Sequence, residues 1–172
     1  MLRYFIISSI ILISYCQAGF AENYLDKHIG SPQIIGSSKF KVMFWHVYDA
    51  TLYSTDGKFS FDKTFALKLD YKRKLEGEKI AERSAEEMRN IGFNDEVTLA
   101  GWFSQMRNIF PDVDKGNYIT GIYVPGENTI FYMDGKKIGE ISDKEFGKWF
   151  FGIWLSNKTS EPELRSKLLG IR

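Results

Sequence analysis

Between residues 65 and 141 the hydrophobic repeat changes twice, and few folds accommodate both changes. Phe65, Leu67, Leu69 and Tyr71 alternate with polar partners, the two-residue period of a strand with one buried face. From residue 78 to 91 the period becomes helical, with Ile80, Ala81, Ser84, Met88 and Ile91 on one face and Gly92 as a stop. Asn94 or Asp95 can cap a second helix that turns Leu99, Trp102, Phe103, Met106, Ile109 and Phe110 inward and ends at Pro111. Strands then return at 118–124 and 129–133, joined by Pro125-Gly126-Glu127-Asn128. A third, 137–141, follows Asp134-Gly135, a hairpin turn whose two positions need positive φ. Residues 34–54 read as earlier extended structure, two strands with a bend, in which Phe40, Val42 and Phe44 alternate. Ser142 with Glu145 and Ser160 with Glu163 have capping-box spacing, for helices over about 143–155 and up to Gly170. Strands gathered at both ends with helices between them predict an α+β fold built on an antiparallel meander, not a βαβ winding.

The first 21 residues stand apart. Arg3 is their one charge, and an apolar run over residues 4–15 follows it. Twelve residues suit a signal-peptide core and are too few for a transmembrane helix, which needs about 20. Small residues at Gly19 and Ala21 place cleavage after Ala21; Cys16-Gln17-Ala18 is a weaker site. The expectation is a signal peptide over 1–21 and a single exported domain over 22–172, periplasmic in a Gram-negative host and without a membrane span once cleaved. With Arg3 gone, acidic and basic side chains are equal in number. A chain of this balance lacks the field of a general nucleic-acid binder.

The common catalytic devices are missing. No G-x-S-x-G elbow, P-loop or G-x-G-x-x-G is present, and no His, Asp or Glu cluster has metal-ligand spacing. One cysteine excludes an internal disulfide framework and cysteine-based metal sites, and no cofactor is expected. His28 lies in the N-terminal lead-in. His46, inside Phe44-Trp45-His46-Val47-Tyr48, is either a strand histidine satisfied by a neighbour or a base. Glu86-Glu87 and Asp95-Glu96 read as solvated helix surfaces or first turns. Lys72-Arg73-Lys74 reads as a solvated edge or an anion site, and a guanidinium at Arg73 can grip a carboxylate in two places.

Aromatic residues make up 16% of the chain, more than closing a core of this size requires. They form either core packing or the wall of an apolar cavity between sheet and helices, with a few polar groups at its mouth. The segment Phe150-Phe151-Gly152-Ile153-Trp154-Leu155 is apolar around most of a helix, so it must be enclosed on several sides or face a ligand.

Four stretches resemble the bacterial chalcone isomerase-like family, exported relatives of plant chalcone isomerase. These are Lys39-Phe40-Lys41 with Val47-Tyr48-Asp49-Ala50-Thr51-Leu52-Tyr53; Ala66-Leu67-Lys68-Leu69-Asp70-Tyr71 with Arg73; Phe110-Pro111-Asp112-Val113 with Gly116 and the strand to Gly121; and Phe151-Gly152-Ile153-Trp154-Leu155 followed by Thr159-Ser160, Leu164-Arg165 and Leu168-Leu169-Gly170. The resemblance spans about Gly36 to Gly170. It implies an open-faced antiparallel sheet with helices on one face and a ligand cleft between. It also implies a choice, because plant relatives either cyclise a chalcone to a flavanone or bind fatty acids without catalysis. The cyclising enzymes depend on an arginine near the first conserved strand and on a threonine downstream. Here those positions fall on Lys39 and Tyr48. Lysine offers a point charge in place of a planar fork, and tyrosine adds a ring to the cleft.

The expected function is therefore the binding of a small apolar or amphipathic molecule, a fatty acid or similar carboxylate. Lys39, Tyr48 and Arg73 are the expected polar groups at the mouth, and Met88, Trp102, Met106 and Tyr123 the expected lining. Two rivals stand beside it. One is an isomerase or intramolecular lyase with Tyr48 as proton donor and Lys39 as oxyanion stabiliser. The other is a non-catalytic docking protein whose cleft is filled by its own side chains. The sequence names no protein partner.

Overall fold

The computed structural model describes residues 23–171, so the expected signal peptide lies outside the described residues. Six strands follow the chain order without a crossover: β1 (Gln33–Val42), β2 (Trp45–Ser54), β3 (Phe65–Tyr71), β4 (Tyr118–Tyr123), β5 (Thr129–Met133) and β6 (Lys136–Ile141). Every neighbouring pair is antiparallel. The β5–β6 turn uses Asp134 and Gly135 at φ 49° and 81°, the positive values that this hairpin type demands.

Two helices fill the gap between β3 and β4, α2 (Gly77–Asn90) and α3 (Glu96–Ile109). Asp95 caps α3, its Oδ1 accepting from the backbone N–H of Val97 and Thr98, each at 3.1 Å. After β6 come α4 (Phe146–Leu155) and α5 (Pro162–Leu168). All four lie on the face of the sheet that carries Phe65, Leu67, Leu69 and Tyr71. The opposite face is partly covered by a helix, α1 (Asn23–Ile29), where the sequence predicts only a lead-in. Its Tyr24, Leu25 and Ile29 pack on Ala66, Ile122 and Tyr132. Tyr24 also bonds Thr120 at 2.9 Å, and His28 Nε2 bonds the Tyr132 hydroxyl at 2.8 Å.

Neither expected capping box forms. Asp143 accepts from the Trp102 indole N–H at 2.9 Å and from the backbone N–H of Glu145 at 3.0 Å, and α4 begins only at Phe146. Ser160 donates its hydroxyl to Glu87 at 2.9 Å, and α5 starts instead at Pro162, a residue suited to the first helical turn. Eight of the ten residues of α4 are buried. Its rings join an aromatic stack over β3–β5 in which Phe65 meets Tyr123 at 4.7 Å, and Phe131 meets Phe150 at 5.2 Å. Much of the aromatic excess is therefore core packing.

At the β1 edge of the sheet, α5 holds β1. Gly36 lies so close to α5 that a Cβ there would stand 2.1 Å from the Lys167 carbonyl oxygen. That contact pins the start of β1 while its far end, from Phe40 to Val42, extends past the helices.

Candidate functional site

The far end of β1 and β2 has sheet below it and helices only to one side, which leaves a cleft of about 530 Å³. That volume lies within the range of about 300–1,000 Å³ usual for small-molecule sites. Its floor is Phe40, Val42, Trp45, Val47, Tyr48, Leu69, Tyr71 and Ile119; its opposite wall is Leu75, Ile80 and Ser84 at α2, Phe110, and Phe150, Ile153 and Trp154 of α4. Consecutive strand residues normally face opposite ways, yet Val47 and Tyr48 both line the cleft. A bulge explains this: Phe40 pairs with Tyr48 and Lys41 with His46, so Val47 is left without a β1 partner.

The polar groups fall into an inner and an outer set. Inside, Trp154 donates its indole N–H to the Tyr48 hydroxyl at 2.9 Å, and Tyr48 stacks on Phe40 at 4.8 Å. Tyr71 meets Tyr48 edge-on at 6.0 Å, and its hydroxyl has no hydrogen-bond partner among the described residues. Burial pushes both tyrosines well above the usual phenol range. At Tyr48 the Trp154 bond works the other way and does not offset it. Both hydroxyls therefore stay protonated at neutral pH and can donate.

The outer set is Arg73, Lys79 and Arg83, with Glu87 and Glu161. Glu87 is 4% exposed. Its Oε1 meets the Arg83 guanidinium without an aligned hydrogen bond, and its Oε2 accepts from Ser160. The expectation of a solvated Glu86-Glu87 pair thus holds for Glu86 and fails for Glu87, which faces inward from α2. Lys79 is paired with Glu82 at 2.8 Å, and Arg83 also with Glu86 at 3.4 Å. Arg73 makes no ion pair among the described residues and lies over the Trp45 ring at 4.8 Å.

Of the residues singled out from sequence, the structure brings Tyr48 and Arg73 together at the cleft and places the others elsewhere. Lys39 points to the opposite face of the sheet, where it borders a polar groove with Ser37, Lys41, Asp49, Thr51 and Lys167. Strand alternation is the reason: Lys39 pairs with Asp49, whereas its neighbour Phe40 pairs with Tyr48 and faces the cleft. Met88 and Met106 are fully buried, and Trp102 nearly so, in the core around α2 and α3. Tyr123 belongs to the aromatic stack at the far end of the sheet. None of these four lines the cleft. His46 bonds Asp49 at 2.8 Å, the satisfied strand histidine of the simpler reading.

A family model described as chalcone isomerase-like matches residues 36–170. The chain belongs to that chalcone isomerase-like family. No curated protein matches the sequence. Among solved structures, the chain is similar to the crystal structure of an Arabidopsis thaliana fatty-acid binding protein, with a TM-score of 0.62 and 12% identity. The match covers 81% of this chain and 87% of that one. At this identity the likeness is one of fold, an open antiparallel sheet with helices.

Within this chalcone isomerase-like domain, the pair that a cyclising site was expected to use is not assembled, because Lys39 and Tyr48 lie on opposite faces. Sequence reasoning missed Tyr71, Lys79, Arg83 and Glu87. A signal for α2 was available: Ile80, Ser84 and Glu87 follow one another at helical spacing, with a carboxylate on the inward stripe. Tyr71 closes the alternating series of β3, so its inward direction was also readable.

Proposed function

We propose that this domain binds an amphipathic small molecule of the fatty-acid class, apolar chain inward and carboxylate at the Arg73 end. The observation that carries this is the cleft itself: an apolar volume of about 530 Å³ with the cations Arg73, Lys79 and Arg83 at its margin, and with the buried Glu87 held by Arg83 and Ser160. A carboxylate taken into the apolar interior loses its hydration, whereas at the margin it keeps water and gains a cation. Arg73 is the available cation, since Lys79 and Arg83 already hold carboxylates. Tyr71, two residues before Arg73 in the chain and in the same cleft, adds a neutral donor. The likeness in fold to a fatty-acid binding protein supports the reading. The leader over 1–21 completes it, making the domain an exported carrier acting in a periplasm.

The test is native mass spectrometry of the protein recovered from the export compartment, then organic extraction and titration with a long-chain fatty acid. A one-to-one complex, and a Kd raised by Arg73→Gln, are expected. Saturation with no affinity below about 100 μM, weaker than about −5.5 kcal/mol, would overturn the proposal. Amino-terminal sequencing of the same sample checks the leader, with Glu22 the expected first residue.

A second reading draws on one observation, two protonated tyrosine hydroxyls facing an apolar cleft. Such a pair can polarise a carbonyl, as an isomerase requires. Turnover of a hydroxychalcone that is abolished by Tyr48→Phe or Tyr71→Phe would favour it over simple binding.

A further inference from the structure

We propose that the β1–β2 hairpin tip docks this protein on an anionic lipid surface, with the cleft mouth turned to the bilayer. The tip is Val42-Met43-Phe44-Trp45, and these four consecutive residues are 50%, 82%, 93% and 62% exposed. Hairpin turns ordinarily take Gly, Asn or Asp. Here Met43 occupies a positive φ of 54°, which a bulky side chain adopts at a cost. The chain thus carries an apolar tip against both solvation and local backbone preference.

Charge complementarity identifies the occupant. Lys39 and Lys41 lie just before the tip, and Arg73 and Lys74 follow β3 at the same end of the sheet. None of these four cations has an ion-pair partner among the described residues. Residues 39–48 contain no acid. Asp49 and Asp70, the next carboxylates along β2 and β3, are held by Lys72 at 3.1 and 2.8 Å. Aromatic and aliphatic side chains ringed by Lys and Arg suit the headgroup level of a membrane, with the cations on lipid phosphates.

The tip is also the rim of the cleft, since Val42 and Trp45 line it. An amphiphile leaving the bilayer would therefore enter without crossing water. This consequence rests on the function proposed above; the docking itself does not.

The test uses the full chain with Cys16→Ser, carrying an environment-sensitive fluorophore on Phe44→Cys. A matching label on Glu127→Cys, in the β4–β5 turn at the opposite end of the sheet, is the control. Mixed phosphatidylglycerol–phosphatidylcholine vesicles should blue-shift the label at 44 and leave the label at 127 unchanged. Pure phosphatidylcholine should give a weaker shift, and added salt should reverse it. In unlabelled protein, Met43→Asp with Phe44→Asp should lower vesicle partitioning by about tenfold or more. The same variant should bind fatty acid normally in vesicle-free buffer. No shift at 44, an equal shift at 127, or a concentration-dependent shift without lipid (tip-to-tip or tip-to-cleft dimers) would overturn the proposal. Loss of the vesicle response with fatty-acid binding intact removes only the docking. A vesicle response in a protein that binds no fatty acid removes only the ligand reading.

Discussion

Tyr71→Phe separates a ligand-facing hydroxyl from a structural one, because the two roles predict opposite signs. The substitution keeps the ring, so the edge-on contact with Tyr48 and the packing under α2 survive. In the empty protein the hydroxyl has no protein partner among the described residues, and it lines the cleft. Its removal breaks no internal hydrogen bond, so stability in urea should stay level or rise by up to about 1 kcal/mol. In the complex proposed above the same hydroxyl donates to the ligand's carboxylate. A hydrogen bond to a charged group is worth about 1.5–3 kcal/mol, which corresponds to roughly a ten- to hundredfold rise in Kd. Urea denaturation and fatty-acid titration of one variant read both quantities. Destabilisation of the empty protein by more than about 1 kcal/mol would show that the hydroxyl is already used inside the fold. An affinity within twofold of the parent would remove Tyr71 from the head-group end of the cleft.

Three further outcomes follow from contacts elsewhere in the fold. Gly36→Ala drives a Cβ to 2.1 Å from the Lys167 carbonyl oxygen and 2.7 Å from that of Leu168, both backbone atoms. A loss of about 3 kcal/mol, or roughly 6–12 °C in Tm, is expected in a thermal melt, and an unchanged Tm would mean that β1 is not held by α5. Ser160→Ala leaves buried Glu87 with Arg83 as its polar partner and should cost about 1–2 kcal/mol in urea denaturation, whereas a neutral result would show that the bond contributes nothing net. Burial holds the Tyr48 and Tyr71 pKa values above the ordinary phenol value, so the unfolded chain ionises them first as pH rises. The stability they contribute is complete below about pH 10 and is lost above it. In a near-ultraviolet alkaline titration these two should ionise only as the fold is lost; release alongside the exposed tyrosines would contradict their burial.

Elements whose own hydrophobic period dominates were legible in the sequence: β3, α2, α3 and the Asp134-Gly135 hairpin all follow the local pattern. What failed were features in which a local device competes with a distant partner. The hydroxyl of Ser160 goes to Glu87 on α2, so α5 starts at Pro162 and does not follow its local capping signal. The site shows the same competition more sharply. Tyr48, from the family resemblance, and Arg73, from the basic run after β3, both reach the cleft, but Lys39 does not, because the residue opposite Tyr48 is Phe40. A strand has a period of two, so an error of one residue moves a charge through the sheet. The bulge at Val47 makes that error hard to avoid from the sequence, because it breaks the parity by which β2 would be aligned to β1. The same bulge brings two consecutive residues, Val47 and Tyr48, to the cleft floor. The irregularity that obscures the register in the sequence is thus what adds Val47 to the cleft.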